Sequence, residues 1–371
     1  MEKVFLLSIG TAVPSNRLSQ CHYFDCLAKN SYDSKHKRLL NLISNRTGIE
    51  GRYSVLTDFI DKNSSSGIFN NNITRKGVPG IGRRMEIFEE HALDLSIKSI
   101  EDCLDSIPKL EKSAITHLVT FSCTGMYAPG IDMGIIEKMN LNKAIERTCI
   151  NFMGCYAAVV AIKTAYHIVR SEPEAVVLLS GVELCSLHYR NSEDPEQLVA
   201  NAIFGDGAAA VIICGEKKRR EAGIQAFKLE NFYSLFSPEG KNEMTWRIGD
   251  FSFELFLSSY VPRLLNEELE YLANKLIEKS GIKVSDISYY AIHPGGMAIL
   301  KACEKALNLT SDHNSYAYKI LSEYGNMSSV TLLFLLKEIL NDINLNDTGK
   351  NILSFAFGPG LTIESMILKV S

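Results

Sequence analysis

Residues 156–169 form a helical pattern that is apolar on nearly every face. A helix without a polar face has to be covered by protein on all sides, so this segment predicts a helix buried between other layers. Residues 330–340 show a similar pattern. Strands that alternate with buried helices predict a layered α/β architecture. The expected strands are short apolar runs that end in glycine or turn residues, at residues 114–121, 174–181, 208–214, 287–293 and 351–357.

Length, charge and cysteine usage narrow the class of protein. The 371 residues suffice for two closely packed halves with a sizeable core. The formal net charge of −4 provides no global basic field, so we expect no nucleic-acid partner. No stretch resembles a transmembrane span or a signal peptide, so we expect no membrane partner. The nine scattered cysteines then indicate reduced thiols in the cytoplasm, and none lies in a cluster with zinc-ligand spacing.

Cys155 is the first candidate for chemistry. It lies in residues 151–158, NFMGCYAA, where Gly154 permits a tight turn and small residues begin the apolar helix. The sulfur is therefore expected near a helix N-terminus, where the helix dipole favours thiolate over thiol. A thiolate there can attack a thioester and hold the acyl group. Taken alone, the segment also fits a buried structural cysteine, because cysteine is among the most buried residue types.

Two further segments carry polar residues that suit the same chemistry. His293 ends an apolar strand in residues 289–296, YYAIHPGG, and strand ends in α/β folds commonly carry functional groups. Asn326 lies in residues 324–329, YGNMSS, directly before a helix. Separately, such a histidine is often structural, and the asparagine fits a turn or an N-cap. Together with Cys155 and the surrounding motifs, they predict a Cys-His-Asn site.

The motifs of this chain resemble those of the type III polyketide synthases, the chalcone synthase-like family, and in particular its bacterial branch. The resemblance covers almost the whole chain. It implies a thiolase fold, in which two related halves form a five-layer α-β-α-β-α sandwich, and it implies a homodimer. Residues 1–220 would form the half with the cysteine, and residues 221–371 the half with the histidine and the asparagine. Besides the three segments above, the matching motifs are residues 202–210 (AIFGDGAAA) and 357–364 (FGPGLTIE).

The resemblance assigns roles to individual residues. Cys155 matches the nucleophile, and His293 and Asn326 match its catalytic partners. Phe204 matches a gatekeeper aromatic between a CoA tunnel and the reaction cavity, although a core phenylalanine before a turn has the same pattern. Phe253 aligns with a second gatekeeper. The other candidate substrate-binding residues are Cys123, Thr124, Ala128, Cys185, His188, Ser328, Gly358, Pro359 and Gly360.

Some positions depart from the plant pattern of this family. Ala128 stands where plant enzymes carry a methionine that reaches into the partner subunit, and the smaller side chain leaves more space. Cys185 and His188 match threonine positions of the plant cavity. Arg46 and Arg52 are candidates for binding the CoA phosphates at a tunnel mouth, although solvated surface arginines would have the same pattern.

The three matched side chains suit a decarboxylative condensation. Loss of carbon dioxide from malonyl-CoA creates an enolate next to a thioester, and this oxyanion needs hydrogen-bond donors in a water-poor pocket. His293 and the amide of Asn326 can both donate. An imidazolium also stabilises a thiolate at Cys155. The substrates are CoA thioesters, acyl-CoA and malonyl-CoA, and the chemistry requires no metal or redox cofactor.

We expect a fatty acyl-CoA starter and an alkylpyrone or alkylresorcinol product, with self-priming by malonyl-CoA as the main alternative. A priming ketoacyl-ACP synthase shares the fold and the three residue types, but it typically has Gln-Ala-Asn after the histidine, where this chain has Pro294-Gly295-Gly296. A papain-like hydrolase also has the order Cys, His, Asn but differs around the cysteine. A non-enzymatic binding protein would keep the fold and lose the triad.

Overall fold

The computed structural model describes residues 2–29, 34–58, 69, 79–190, 192 and 194–371. The described strands are β1 (Val4–Ala12), β2 (Asn16–Ser19), β3 (Gly51–Ser54), β4 (His117–Ser122), β5 (Glu146–Asn151), β6 (Val176–Leu184), β7 (Asp206–Gly215), β8 (Phe227–Phe236), β9 (Met244–Ile248), β10 (Phe253–Leu257), β11 (Ile287–Ile292), β12 (Asn351–Gly358) and β13 (Thr362–Val370). The described α-helices are α1 (Gln20–Lys29), α2 (Ser34–Ser44), α3 (Ile81–Asp105), α4 (Ile131–Met139), α5 (Ala157–Ser171), α6 (Pro195–Ile203), α7 (Glu216–Ala222), α8 (Val261–Ser280), α9 (Met297–Leu307), α10 (Ser315–Tyr324) and α11 (Thr331–Asp342).

Nine strands form a continuous ladder with the order β11-β12-β13-β8-β1-β7-β6-β4-β5. The ladder divides where β1 pairs with β8, because this pairing spans only residues 4–6 of β1. On one side, β6, β7 and β1 are antiparallel neighbours. On the other side, β12, β13 and β8 repeat that arrangement. The repeat of three antiparallel strands therefore marks two related halves, each with its own sheet.

The two apolar helices predicted from the sequence lie between these sheets. Helix α5 contacts β4, β6 and β7 of the first half and β13 of the second, and α11 contacts β1, β7 and β11. Helix α5 buries most of its apolar residues, as expected for a helix that is covered on both sides. The prediction of buried helices at residues 156–169 and 330–340 is therefore confirmed.

Strand β1 shows how one strand serves two layers. Val4 and Leu6 belong to the central apolar cluster around α5 and α11, whereas Phe5 and Leu7 pack with residues of α3. This alternation follows from the two-residue repeat of a strand. Helix α3 covers the outer face of β1, β6 and β7, while α8 covers β8 and β13 and contacts α9. The layers are thus α-β-α-β-α, which confirms the predicted five-layer sandwich.

The predicted strands appear as β4, β6, β7, β11 and β12, with bounds that differ by a few residues. The predicted division between the halves after residue 220 falls inside α7, where Lys217 and Arg220 pair with Glu174 and Glu216. This division stays a prediction.

None of the described helices is long and apolar enough to cross a membrane.

Gly10 is predicted to be essential for the contact between β1 and α3. A Cβ atom at this position would overlap the backbone of Ser99 and Cys103, which a rigid helix cannot move aside cheaply. Gly10→Ala should therefore lower the free energy of unfolding by about 3 kcal/mol or more, measured by chemical denaturation. The matched control is Gly82→Ala within α3, where nothing lies within 4 Å of the added atom. That control should be neutral or stabilising by up to ~1 kcal/mol, and equal effects of the two substitutions would contradict the packing described.

Candidate active site

Three distant segments meet at one cavity. Cys155 lies between β5 and α5 in the first half, whereas His293 follows β11 and Asn326 lies between α10 and α11 in the second half. All three residues line the same cavity. The five-layer packing therefore brings together the side chains that the sequence places far apart.

The loop before Cys155 has a conformation that depends on glycine. Gly154 has a φ of 86°, in the left-handed region that side chains disfavour. A Cβ atom there would also overlap the ring of Pro359. Pro359 lines the cavity, so the Gly358-Pro359-Gly360 loop lies directly against the loop that carries Cys155. The amide of Gly360 donates to the carbonyl of Met244 at 3.0 Å, which ties this loop to the hairpin of β9 and β10.

The thiol of Cys155 lies just before the first turn of α5, as predicted, but it is not a resting thiolate. Burial raises its pKa to about 12, and the hydrogen bond between Sγ of Cys155 and Oγ of Ser328, which are 3.7 Å apart, opposes this shift. The carboxylate of Glu183 raises the pKa further, and hydrogen bonding from Asn326 lowers it. Burial opposes the predicted effect of the helix dipole, which favours the thiolate, because loss of water disfavours the charged form.

His293 is held by its backbone and leaves its ring free for a ligand. Its amide donates to the carbonyl of Phe355 at 2.9 Å, and its side chain is buried. Neither ring nitrogen has a hydrogen-bond partner among the described residues. Burial lowers the pKa of the imidazole to about 3, so the ring is neutral. A buried polar side chain without a partner requires an explanation, and a bound substrate supplies one.

The amide of Asn326 is oriented by its neighbours. Its Oδ1 accepts hydrogen bonds from the amide of Ser328 at 2.8 Å and from Oγ1 of Thr331 at 3.3 Å. Its Nδ2 makes one long hydrogen bond, 3.4 Å, to the carbonyl of Gly295. Because an amide nitrogen has two donors, the second N–H is available to Cys155, whose pKa it lowers.

The backbone of Phe204 is pinned to the Asn326 loop. The amide of Asn326 donates to the carbonyl of Ile203 at 2.8 Å, and the amide of Gly205 donates to the carbonyl of Asn326 at 3.0 Å. Arg52 donates from Nη1 to the carbonyl of Phe204 at 2.8 Å. The partly buried Phe204 side chain lines the cavity, which places it at the predicted position beside the candidate triad.

The two arginines predicted to bind CoA phosphates lie in different environments. Arg52 is only 4% exposed, and its guanidinium lies 4.3 Å from the ring centre of Tyr23. Burial lowers its pKa, and it donates to main-chain carbonyls. Arg52 also lines the cavity, and its hydrogen bond to Phe204 holds the backbone at that residue; its CoA-binding role stays a prediction. Arg46 is exposed and does not line the cavity, and its CoA-binding role stays a prediction.

A buried carboxylate that the sequence analysis missed connects the two halves of the site. Glu183, on β6, is fully buried and accepts hydrogen bonds from the amide of Cys123 at 3.0 Å, from Oγ1 of Thr124 at 2.7 Å and from the hydroxyl of Ser329. Burial raises the pKa of this carboxyl group. Cys123 Sγ in turn accepts from the amide of Gly154 at 2.9 Å. A charged residue inside an apolar strand was the sequence signal for this network.

The hairpin of β9 and β10 forms an apolar wall of the cavity. Phe253 stacks on His188 with ring centres 4.3 Å apart, and Trp246 donates from Nε1 to the carbonyl of Cys123 at 2.7 Å. Sequence analysis assigned no role to Trp246. The wall residues that the hairpin contributes to the cavity are Met244, Trp246, Phe253, Leu255 and Leu257.

His188 is a neutral wall residue whose tautomer is fixed. Its Nδ1 accepts from the amide of Phe253 at 3.0 Å, so its Nε2 donates to the carbonyl of Thr124 at 2.7 Å. Burial lowers its pKa to about 3.

Most of the predicted substrate-binding residues line the cavity. Ala128 does not: it is exposed on the surface of the single chain. Gly358 and Gly360 flank the lining residue Pro359 without lining the cavity themselves. The residues that line it are Cys123, Thr124, Cys185, His188, Phe204, Phe253, Ser328 and Pro359.

Comparison with known families identifies the chain. Residues 2–217 match the model for the N-terminal domain of chalcone and stilbene synthases, and residues 228–371 match the model for the C-terminal domain. The chain belongs to the chalcone and stilbene synthase family. It is a type III polyketide synthase, and such enzymes are acyltransferases that condense with decarboxylation.

Individual relatives of this type III polyketide synthase come from distant organisms. It is 28% identical to the alpha-pyrone synthesis polyketide synthase-like Pks18 of Mycobacterium tuberculosis, over 80% of this chain and 76% of that protein. It is 29% identical to type III polyketide synthase A of Arabidopsis thaliana, over 99% of this chain and 93% of that protein. Because these identities are nearly equal, the bacterial branch stays a prediction.

The fold of the type III polyketide synthase agrees with a solved structure. The crystal structure of PKS-I from the brown alga Ectocarpus siliculosus superimposes with a TM-score of 0.91 at 24% identity, covering 100% of this chain and 98% of that one. The predicted thiolase fold is therefore confirmed.

Acidification should destabilise the folded synthase through its two buried histidines. Burial lowers the pKa of His188 and His293 to about 3, whereas the ordinary value is 6.5. Below about pH 6.5 the unfolded chain therefore binds more protons than the folded chain, and the free energy of unfolding decreases as the pH is lowered. Each histidine should contribute about 2 kcal/mol of this loss between about pH 7.5 and pH 5.

Urea denaturation of the wild type and of His188→Gln at these two pH values measures the effect. The loss of unfolding free energy on acidification should be about 2 kcal/mol smaller in the variant. Equal losses would contradict a neutral His188 in the folded chain.

Proposed function

We propose that this type III polyketide synthase condenses malonyl-CoA units onto a fatty acyl-CoA starter held on Cys155, and that it releases an alkylpyrone or alkylresorcinol. The observation that carries the proposal is the shared cavity. Cys155, the unpartnered ring of His293 and the amide of Asn326 line the same space as an apolar wall.

Loading of the starter begins from a neutral thiol and a neutral imidazole. Burial penalises either charge alone, but a thiolate and an imidazolium that form together attract each other. We infer that His293 accepts the thiol proton as Cys155 Sγ attacks the acyl-CoA carbonyl. The carbon–sulfur bond to CoA breaks, the CoA thiolate takes the proton from His293, and the acyl group remains on Cys155.

Extension uses the ring of His293 and the amide of Asn326 as donors. When malonyl-CoA loses carbon dioxide, the electron pair of the broken bond forms an enolate on the thioester. His293 and Nδ2 of Asn326 donate to the enolate oxygen. The carbanion then attacks the acyl carbonyl on Cys155, the carbon–sulfur bond breaks, and the sulfur is free for the next cycle. Water would quench the carbanion, so the buried position of His293 favours condensation.

The hairpin wall supports an acyl chain as starter. The side chains that β9 and β10 turn to the cavity are all apolar or aromatic, and such a surface gains free energy by covering an alkyl chain. The only described polar group on this wall, Nε1 of Trp246, already donates to the carbonyl of Cys123. The name of the mycobacterial relative, which mentions alpha-pyrone synthesis, supports a pyrone product.

The working form in this proposal is a homodimer in the cytoplasm. Ala128 is exposed on the single chain, and Met126 and Met133 on the same stretch are 38% and 42% exposed. Apolar side chains on one surface favour a subunit contact there.

The CoA thioesters are the substrates, and the proposed steps use no metal or redox cofactor. Arg46 remains the candidate contact for CoA phosphates.

A starter panel tests the proposed function. The purified chain is mixed with malonyl-CoA and acyl-CoA starters from acetyl to palmitoyl, and products are identified by mass spectrometry. We expect pyrone or resorcinol masses with the highest kcat/KM for long starters, and no product from Cys155→Ala. Turnover of short or aromatic starters alone would refute the fatty acyl starter, and identical products without any starter would indicate self-priming. Full condensation by Cys155→Ala would refute the nucleophile.

Two variants of the hairpin serve as matched controls for the panel. Trp246→Leu replaces a lining side chain with a smaller one and so enlarges the cavity, and the preferred starter should become longer. Phe256→Ala changes a side chain of the same hairpin that is 45% exposed and does not line the cavity. Phe256→Ala should keep the starter preference of the wild type. A similar change of preferred starter length in both variants would show that the hairpin affects the reaction only through the stability of the fold.

A further inference from the structure

Three metal-ligating side chains meet at the end of the first sheet that is remote from the cavity. His117 begins β4, Glu146 begins β5, and Glu172 directly follows α5. The other end of β4 leads to Cys123, which lines the cavity. This cluster therefore belongs to a different part of the surface from the proposed reaction.

Thr116 orients the imidazole of His117. Its hydroxyl lies 3.2 Å from the carbonyl of Val176 and 2.8 Å from Nδ1 of His117, and it accepts from the amide of Val176 at 3.1 Å. Nδ1 is therefore engaged by the hydroxyl, and Nε2 points away from Thr116. In the tautomer that binds a metal through Nε2, Nδ1 carries the proton and donates to this hydroxyl. Orientation of a histidine by a bond to its second nitrogen is usual for metal ligands.

Nε2 of His117 faces two carboxylates. The distances from Nε2 of His117 to the nearest oxygens of Glu146 and Glu172 are 3.6 and 3.9 Å, too long for hydrogen bonds. The imidazole is only 7% exposed, and in the described part of the chain Nε2 has no hydrogen-bond partner. One imidazole nitrogen and two carboxylates thus converge, and no lysine or arginine of the described residues pairs with them.

We propose that His117, Glu146 and Glu172 bind a zinc ion, with water as the fourth ligand. One nitrogen and two carboxylate oxygens match the ligand preference of zinc, and the ion balances their two negative charges. The ligand atoms lie within 4.8 Å of one another, and zinc bonds of about 2.1 Å require about 3.4 Å in a tetrahedral site. The side chains of Glu146 and Glu172 are 73% and 58% exposed, so they are free to rotate and bring their oxygens to this shorter separation.

The ion would stabilise the fold and take no part in the condensation. It would join the end of α5 to the starts of β4 and β5, and the first turn of the same helix positions Cys155. The sequence could not reveal the site, because its ligands come from three separate elements and no zinc motif spaces them.

Zinc binding to the full-length chain tests the proposal. Protein freed of metal with EDTA is incubated with zinc chloride and desalted, and its zinc content and melting temperature are measured. Because thiols also bind zinc, the wild type is compared with variants that keep every cysteine. His117→Ala and Glu146→Gln should each hold one zinc ion fewer per chain. They should also lose a zinc-dependent rise in Tm of about 3–5 °C.

Glu174→Gln is the matched control, since Glu174 lies on the same surface but pairs with Lys217 at 2.8 Å. This variant should bind zinc as the wild type does. Equal zinc content and equal Tm shifts in the wild type and in Glu146→Gln would overturn the proposal. The proposal would also be overturned if Glu174→Gln lost as much zinc and as much of the zinc-dependent Tm rise as Glu146→Gln, because this would indicate unspecific binding to an acidic surface.

Discussion

Helix α5 is apolar around most of its circumference, apart from an edge with Lys163, His167 and Arg170, and the chain buries it by placing a sheet on each side of it. The burial of this helix explains why two halves pack face to face and why β13 of the second half reaches a helix of the first. The same packing brings His293 and Asn326 to the N-terminal end of α5, where Cys155 lies. The burial of one apolar helix and the assembly of the site are thus a single packing event. The hydrophobic effect drives this packing, whereas polar contacts determine how the two halves are aligned.

Those polar contacts lie in the layer between the halves. Glu183 joins the end of β4 to the loop after Asn326, and Arg52 joins β3 to the backbone of Phe204. Each is a buried charge that would be costly if unpaired, and each is satisfied mainly by hydrogen bonds from or to neutral groups. In contrast, the ring of His293 is buried without a partner. The structure therefore satisfies the groups that hold the site and leaves unsatisfied the group that would contact the substrate.

The sequence predicted the parts that depend on periodicity and on local motifs. The apolar pattern of residues 156–169 located α5, and the motifs around residues 155, 293 and 326 located the lining of the cavity. It could not predict the environment of a side chain. Arg52 and Arg46 look alike in the sequence, but only Arg52 is buried. The pKa of Cys155 is set by loss of water, which depends on the other half of the molecule. Ala128 is exposed and lies outside the cavity of the single chain, which its place in the motif could not reveal.

Covalent loading of the starter is the most direct test of the account, because three described thiols line the cavity, at Cys123, Cys155 and Cys185. The purified chain is mixed with a fatty acyl-CoA in the absence of malonyl-CoA, and the intact protein and its peptides are weighed by mass spectrometry. The account predicts a mass gain of one acyl group, confined to the peptide that contains Cys155. An acyl group on Cys123 or Cys185 instead, or no covalent adduct with any starter, would contradict it.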